Sequence, residues 1–321
     1  MRSGNIVAGR RHDLVRTRRT MKPAFGILAS DPQRSWHDTV AMVSHAETCG
    51  FSSVCIWDHP NFPGMDPIAG LAALAARTTK IRLWANVLVV PYRSPALMAH
   101  AMACIDVISG GRLILGLGTG WDEREFRAYG IRYESLASRR TQLADAIRIV
   151  DEMWTHERST YVGTSVQVVD AVCEPKPVQK PRPPIWVGSH GGMRALQEVV
   201  VPLADGWNIG IPSSPSAPPL DETIAAFREL CERLGRDPAA YTISTNLLVA
   251  GHGSDERLNG MYSNHIDPAK LHALADPARL RGHIESLRDL GISHIVIGLI
   301  SSPILDDLTE FTETVLQPVG Q

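Results

Sequence analysis

Asp58 and His59 close an apolar run, Phe51 to Trp57, and stand directly ahead of Pro60. A histidine at the end of a buried strand can move a proton near neutral pH, or donate to a ring nitrogen or carbonyl. It can equally cap loop backbone, and the residues alone leave both readings standing. Asn86 lies inside a second apolar run, Ile81 to Val90. An amide there is costly unless a ligand or neighbouring backbone satisfies it. Gly116, Gly118 and Gly120 alternate at the end of a third run, with Thr119 between the last two and Trp121 after them. A glycine-rich turn after a strand brings backbone close to a flat or anionic ligand. Gly188, Ser189, His190, Gly191 and Gly192 form a second such turn, whose backbone N–H groups suit a phosphate or simply make a tight connection.

Several familiar chemistries are absent. The alternating glycines are not a dinucleotide-binding GxGxxG, because no acid follows at the expected distance, and there is no Gly-Lys-Ser/Thr phosphate loop. None of the 12 histidines falls in HExxH spacing, and the 5 cysteines form no CxxC pair, so no metal ligands are expected. The cysteines read as buried thiols of a cytoplasmic protein. Trp57, Trp84, Trp121, Trp186 and Trp207 fall on or just after strands and serve either as core or as walls for a planar ligand. Glu123, Arg124, Glu125, Arg139 and Arg140 read as solvated loop and helix charges.

These residues need a scaffold. From Lys22 onward the 321-residue chain alternates apolar runs with helical periodicity: strands at 23–29, 51–57, 81–90, 112–118, 184–188, 206–209, 241–250 and 294–300. Helices fall between nearly all of them, at 36–49, 66–77, 94–109, 138–154, from 193, 221–234, 277–290 and 305–316. Residues 161–169 read as a small hairpin, and 175–184, with five prolines, as stiff coil. Eight strand–helix units predict a single α/β domain over 22–321, a (β/α)₈ TIM barrel with insertions, in preference to an open doubly wound sheet. In such a barrel the candidate residues gather at the C-terminal strand ends.

The net charge of −2 gives no general attraction to nucleic acid or membrane, and no apolar run approaches the roughly 20 residues of a bilayer span. Residues 1–21 stand apart, with six arginines and one acid, Asp13. They are expected to be a disordered extension, or a misplaced start ahead of a true initiator at Met21.

Three stretches, FSSVCIWDH (51–59), the long segment from Ala85 to Ile131 and CEPKPVQKPRPPIWVGS (173–189), together resemble the luciferase-like monooxygenase superfamily, especially its deazaflavin-dependent actinobacterial branch. The resemblance runs from Met21 to the C-terminus. It implies a TIM-like barrel holding coenzyme F420, or alternatively FMN, noncovalently in its mouth, and a small organic substrate. It further implies catalytic roles for His59 and Asp58, with His59 facing the redox ring. Asn86 and Val87 match a third-strand position where many relatives carry a non-prolyl cis peptide behind that ring. Gly118, Thr119 and Gly120 match the turn lining the cofactor tail, and Gly188 to Gly192 a phosphate-binding turn. In a branch that oxidises a sugar phosphate, a catalytic glutamate follows the fourth-strand turn; this chain has Trp121 there, which sets it apart from that substrate. The implied reaction is hydride transfer with F420, or monooxygenation with reduced FMN, in a protein that could pair as a homodimer. A lyase or aldolase without redox cofactor remains a rival, though Lys22, Lys80, Lys176, Lys180 and Lys270 sit at strand starts or in loops. A barrel without catalytic activity is a third reading.

Overall fold

The computed structural model describes residues 22–62, 64–189, 192–210, 218–258 and 271–319. The strands are β1 Ala24–Leu28, β2 Ser53–Ile56, β3 Arg82–Ala85, β4 Leu88–Val89, β5 Leu113–Gly118, β6 Ser159–Val162, β7 Gln167–Ala171, β8 Ile185–Ser189, β9 Gly206–Ile209, β10 Thr242–Ala250, β11 Leu271–Ala273 and β12 His294–Ile300. Eight of them run in the order β1-β2-β3-β5-β8-β9-β10-β12, and β12 pairs with β1 to close the ring. Every pairing around the ring is parallel, for example Ala24 with His294 and Ser53 with Arg82. The chain is therefore the expected closed barrel.

Local chemistry explains the helices that cross between strands. For α1, Trp36–Thr48, the Ser35 side chain accepts from the Asp38 N–H. For α2, Pro67–Ala75, Asp66 accepts from the N–H groups of Ile68 and Ala69, while Pro67 occupies a first-turn position that needs no donor. α3, Pro95–Ser109, ends on Gly110 at φ 67°, a left-handed conformation that glycine adopts without a Cβ penalty. α5 is Leu136–Thr155, α6 Leu220–Arg233, α7 Pro277–Asp289 and α8 Ile304–Phe311.

Two packing layers result. The main core lies between strands and helices, and a smaller plug of Leu28, Cys55, Trp84, Ile114, Trp186 and Val296 fills the barrel. Trp84 and Trp186 meet edge to face at 5.0 Å inside it. A polar column threads the same interior. Ser53 Oγ and Ser244 Oγ lie 2.8 and 2.9 Å from the two ring nitrogens of His294. Asn208 Nδ2 donates to Ser244 Oγ at 3.1 Å, and Asn86 Nδ2 to Asn246 Oδ1 at 3.0 Å. Burial, helped by nearby Arg82, pushes His294 down to about 3, so its imidazole is neutral.

One expectation is corrected, and two connections carry elements of their own. The run 81–90 is not one strand: it stops at Ala85, passes through a cis Asn86–Val87 peptide and resumes as β4 against β5. The connection after β5 contains a short helix, α4 Glu123–Ala128. The polar segment 251–276 includes helical Ser254–Leu258 and β11, which extends the sheet beside β10. The hairpin is present as antiparallel β6 and β7. Residues 1–21, expected to form an extension, lie outside the described residues.

Candidate active site

His59 leaves the end of β2 and meets α4. Its Nδ1 lies 3.0 Å from Glu125 Oε2 and 3.1 Å from Oε1. A carboxylate only accepts, so Nδ1 carries the proton and Nε2 remains as the ring's second site. Tyr92 Oη donates to the same Oε2 at 3.0 Å, and burial together with the Glu125 charge pushes the Tyr92 hydroxyl well above its ordinary value. Glu125 is thus buried and doubly bonded, where sequence reasoning placed a solvated charge. The reason is α4: Asp122 caps it, accepting from the Arg124 N–H, and the turn aims Glu125 and Phe126 inward.

Asp58 faces away from this ring. Arg93 grips both its oxygens through two N–H groups, one at 2.9 Å to Oδ1, and the Val89 N–H donates to Oδ2 at 2.8 Å. The carboxylate is buried and ties the end of β2 to β4 and to Arg93. Asp58, expected beside His59 as a catalytic residue, is thus bonded to Arg93 and Val89.

The floor of the mouth is Val87. Together with Trp57 it caps the barrel plug and stays partly exposed. A Cβ at Gly118 would lie 2.4 Å from Val87 Cγ2, and one at Gly188 would lie 2.9 Å from Val87 Cγ1. Glycine at both positions is what admits the valine. Gly120, at φ 71°, turns the chain toward Trp121. Arg139 holds this turn, donating to the carbonyls of Gly120, Thr119 and Glu134 while its guanidinium lies 4.0 Å above the Tyr133 ring. Arg139 and Arg140 are both buried, not solvated; Arg140 donates to Glu198 at 3.0 Å.

Trp121 itself is 59% exposed and meets His59 edge to face at 5.6 Å. Trp57 approaches His59 from another side at 6.2 Å. Trp84, Trp186 and Trp207 are core. Ser189 ends β8 and accepts from Trp207 Nε1 at 3.1 Å, and Gly192 precedes a helical stretch, while His190 and Gly191 lie outside the described residues. The structure therefore brings His59, Val87, Gly118, Thr119, Gly120 and Trp121 to one mouth, adds Glu125, Tyr92 and Arg139, and connects Asn86 to Asn246 beneath it. No metal ligands were expected. Among the described residues, His252, Asp307 and Glu310 bring candidate donor atoms within 4.8 Å of one another. Asp307 there already accepts from both Nδ1 and the backbone N–H of His252. Lys176 donates to the Met153 carbonyl of α5 and Lys180 to that of Pro177, which leaves neither as a free amine for lyase chemistry.

Partly exposed apolar Val87 and Trp57, with a proton-bearing histidine beside Trp57, suit a flat heteroaromatic ring, so the residues present fit a flavin-type cofactor. Such a mouth, at the C-terminal ends of the strands of a closed parallel barrel, defines a TIM-barrel ligand site. The chain belongs to the luciferase-like monooxygenase family, whose sequence pattern matches residues 21–294. It is 33% identical over 195 residues to an F420-dependent glucose-6-phosphate dehydrogenase of Microbacterium testaceum, covering 59% of this chain and 56% of the relative. It is 27% identical over 219 residues to an FMNH(2)-dependent dimethylsulfone monooxygenase of Pseudomonas putida, covering 68% of this chain and 56% of that one. The match thus spans about half the length of these relatives. An F420-dependent secondary alcohol dehydrogenase, solved with an F420–acetone adduct, superposes with a TM-score of 0.79 at 18% identity over 94% of this chain and 100% of its own. No helix among the described residues is long and apolar enough to cross a membrane.

Proposed function

We propose that the protein is an oxidoreductase that binds coenzyme F420 in the barrel mouth and exchanges a hydride with a small organic substrate. The observation that carries this reading is the His59–Glu125 pair beside Trp57, which with Val87 packs on the barrel plug. F420-dependent enzymes among the relatives and structural neighbours support it. When bound, the deazaflavin supplies a carbon that gives or accepts hydride. Val87 and Trp57 would seat the ring, and Thr119, Gly120, Gly188, Ser189 and Gly192 would hold the tail. His59 would accept a proton at Nε2 from a substrate hydroxyl as hydride leaves it, and return that proton to the oxygen in the reverse direction. Glu125 fixes the tautomer and rotation of that imidazole, as an acid behind a histidine does. Arg93 and Asp58 lock the segment that presents Tyr92, and Arg139 locks the turn that presents Trp121.

FMN is the alternative cofactor, favoured by the likeness to an FMNH(2)-dependent monooxygenase. Titrating the purified protein with F420 and FMN while following ring fluorescence separates the two. Micromolar binding of F420 supports the proposal, tighter binding of FMN replaces the cofactor, and binding of neither overturns the redox reading. The five free cysteines accord with a cytoplasmic protein. A homodimer belongs to the same reading; exposed Leu97 and Ile108 on α3 offer apolar area for it, and sedimentation velocity tests it.

A further inference from the structure

Trp121 leaves a large apolar face in water beside the group that handles protons. Its main chain is rigidly placed: Tyr133 Oη donates to the Trp121 carbonyl at 3.1 Å, and Arg139 secures the two carbonyls before it. Trp57 stands on another side of His59 and packs on Phe62 at 5.9 Å. Tyr129 Oη, donating to the Pro60 carbonyl at 2.8 Å, ties the loop after β2 to α4, so the aromatic groups form one wall. A preorganised wall of this kind favours a ligand face that leaves water readily.

Arg93 and the arginines of α4 are already matched to acids. Arg93 pairs with Asp58 and lies 3.5 Å from Asp66. Arg124 pairs with Asp122 at 2.7 Å, and Arg127 with Glu123 at 3.5 Å. Both Glu125 oxygens face His59, and one also accepts from Tyr92. A substrate phosphate here would lose its hydration and would have to compete for guanidiniums already bound to carboxylates.

We infer that the site takes an uncharged substrate bearing a planar apolar group, which packs on Trp121 beside His59, and that Trp121 is the residue that selects for it. This rests on the reading that the mouth holds a redox cofactor.

Acetophenone serves as the neutral planar probe and glucose 6-phosphate as the anionic one. Saturation-transfer NMR measures both on wild type, Trp121→Ala and Trp121→Phe, with and without F420, and ring fluorescence in the same tubes reports the cofactor. Acetophenone should bind wild type, weaken about two- to tenfold in Trp121→Ala and recover in Trp121→Phe. Glucose 6-phosphate should not displace it. Because the Trp121 side chain is largely in water, neither variant should lose its fold, and circular dichroism checks that. No acetophenone binding to wild type at millimolar concentration, equal binding to Trp121→Ala, or displacement by glucose 6-phosphate overturns the inference. Should neither F420 nor FMN bind, the redox reading falls, while the acetophenone series on cofactor-free protein still decides the role of Trp121.

Discussion

Glu125 Oε2 lies 3.0 Å from His59 Nδ1, joining the loop after β2 to the helix after β5. These two residues are 66 apart in the chain, and β3 separates their strands in the barrel. The contact orients an imidazole whose second nitrogen remains for chemistry. Replacing His59 with Gln should lower turnover by about 10²- to 10⁴-fold with little change in cofactor affinity. Glu125→Gln should lower kcat less, leave KM nearly unchanged and alter the pH profile of turnover, because an amide can hold either tautomer. An unaltered pH profile in Glu125→Gln would show that the carboxylate only supports the fold.

Asp58 and Arg93 predict stability. Arg93→Ala leaves a buried carboxylate with only the Val89 N–H, which should cost about 3 kcal/mol. Urea denaturation measures it, and a loss below about 1 kcal/mol would mean that the pair contributes no more than a surface ion pair.

Val87 and Gly118 predict a steric relation. In Gly118→Ala the new methyl would lie 2.4 Å from Val87 Cγ2, and overpacking of this kind costs about 1–3 kcal/mol. Both melting temperature and cofactor affinity should fall, and Val87→Ala in the same chain should restore part of each. A Gly118→Ala protein with wild-type stability would disprove the contact.

His294 predicts a pH dependence. Its folded value is about 3, whereas an unfolded histidine titrates near 6.5, so as pH falls below about 6.5 only the unfolded chain takes up this proton. The folded state therefore loses about 1.4 kcal/mol per pH unit from this group between roughly pH 6 and pH 3. His294→Asn should be less stable at neutral pH yet have a shallower acid slope, measured by denaturation midpoints at pH 6.5 and 4.5. Equal slopes would mean that the buried imidazole protonates in place.

The alternation of largely apolar, buried runs with helical periods made the barrel legible, and turn residues such as Gly50, Pro184 and Gly251 break the runs. Gly206–Ile209 and His294–Ile300 fall where the pattern puts them. Glu125 was not legible by type, since a six-residue helix carries too little periodicity and its neighbours Glu123 and Arg124 are exposed. A signal was present: Asp122 followed three residues later by Glu125 is the spacing of a helix start. Arg139 could likewise have been read as inward, because it continues the stripe of Leu143, Ala146 and Val150. Asn246 does not stand out in the sequence because strand patterns register apolar residues, while its bond to Asn86 comes from a neighbour distant in sequence.

The central claim is that His59, oriented by Glu125, faces the bound ring. The most direct measurement is the ¹⁵N spectrum of histidine-labelled protein as F420 is added. The His59 Nε2 resonance, assigned through His59→Gln, should shift in step with ring fluorescence while that of buried His294 stays fixed. A His59 resonance that does not move while the cofactor binds would contradict it.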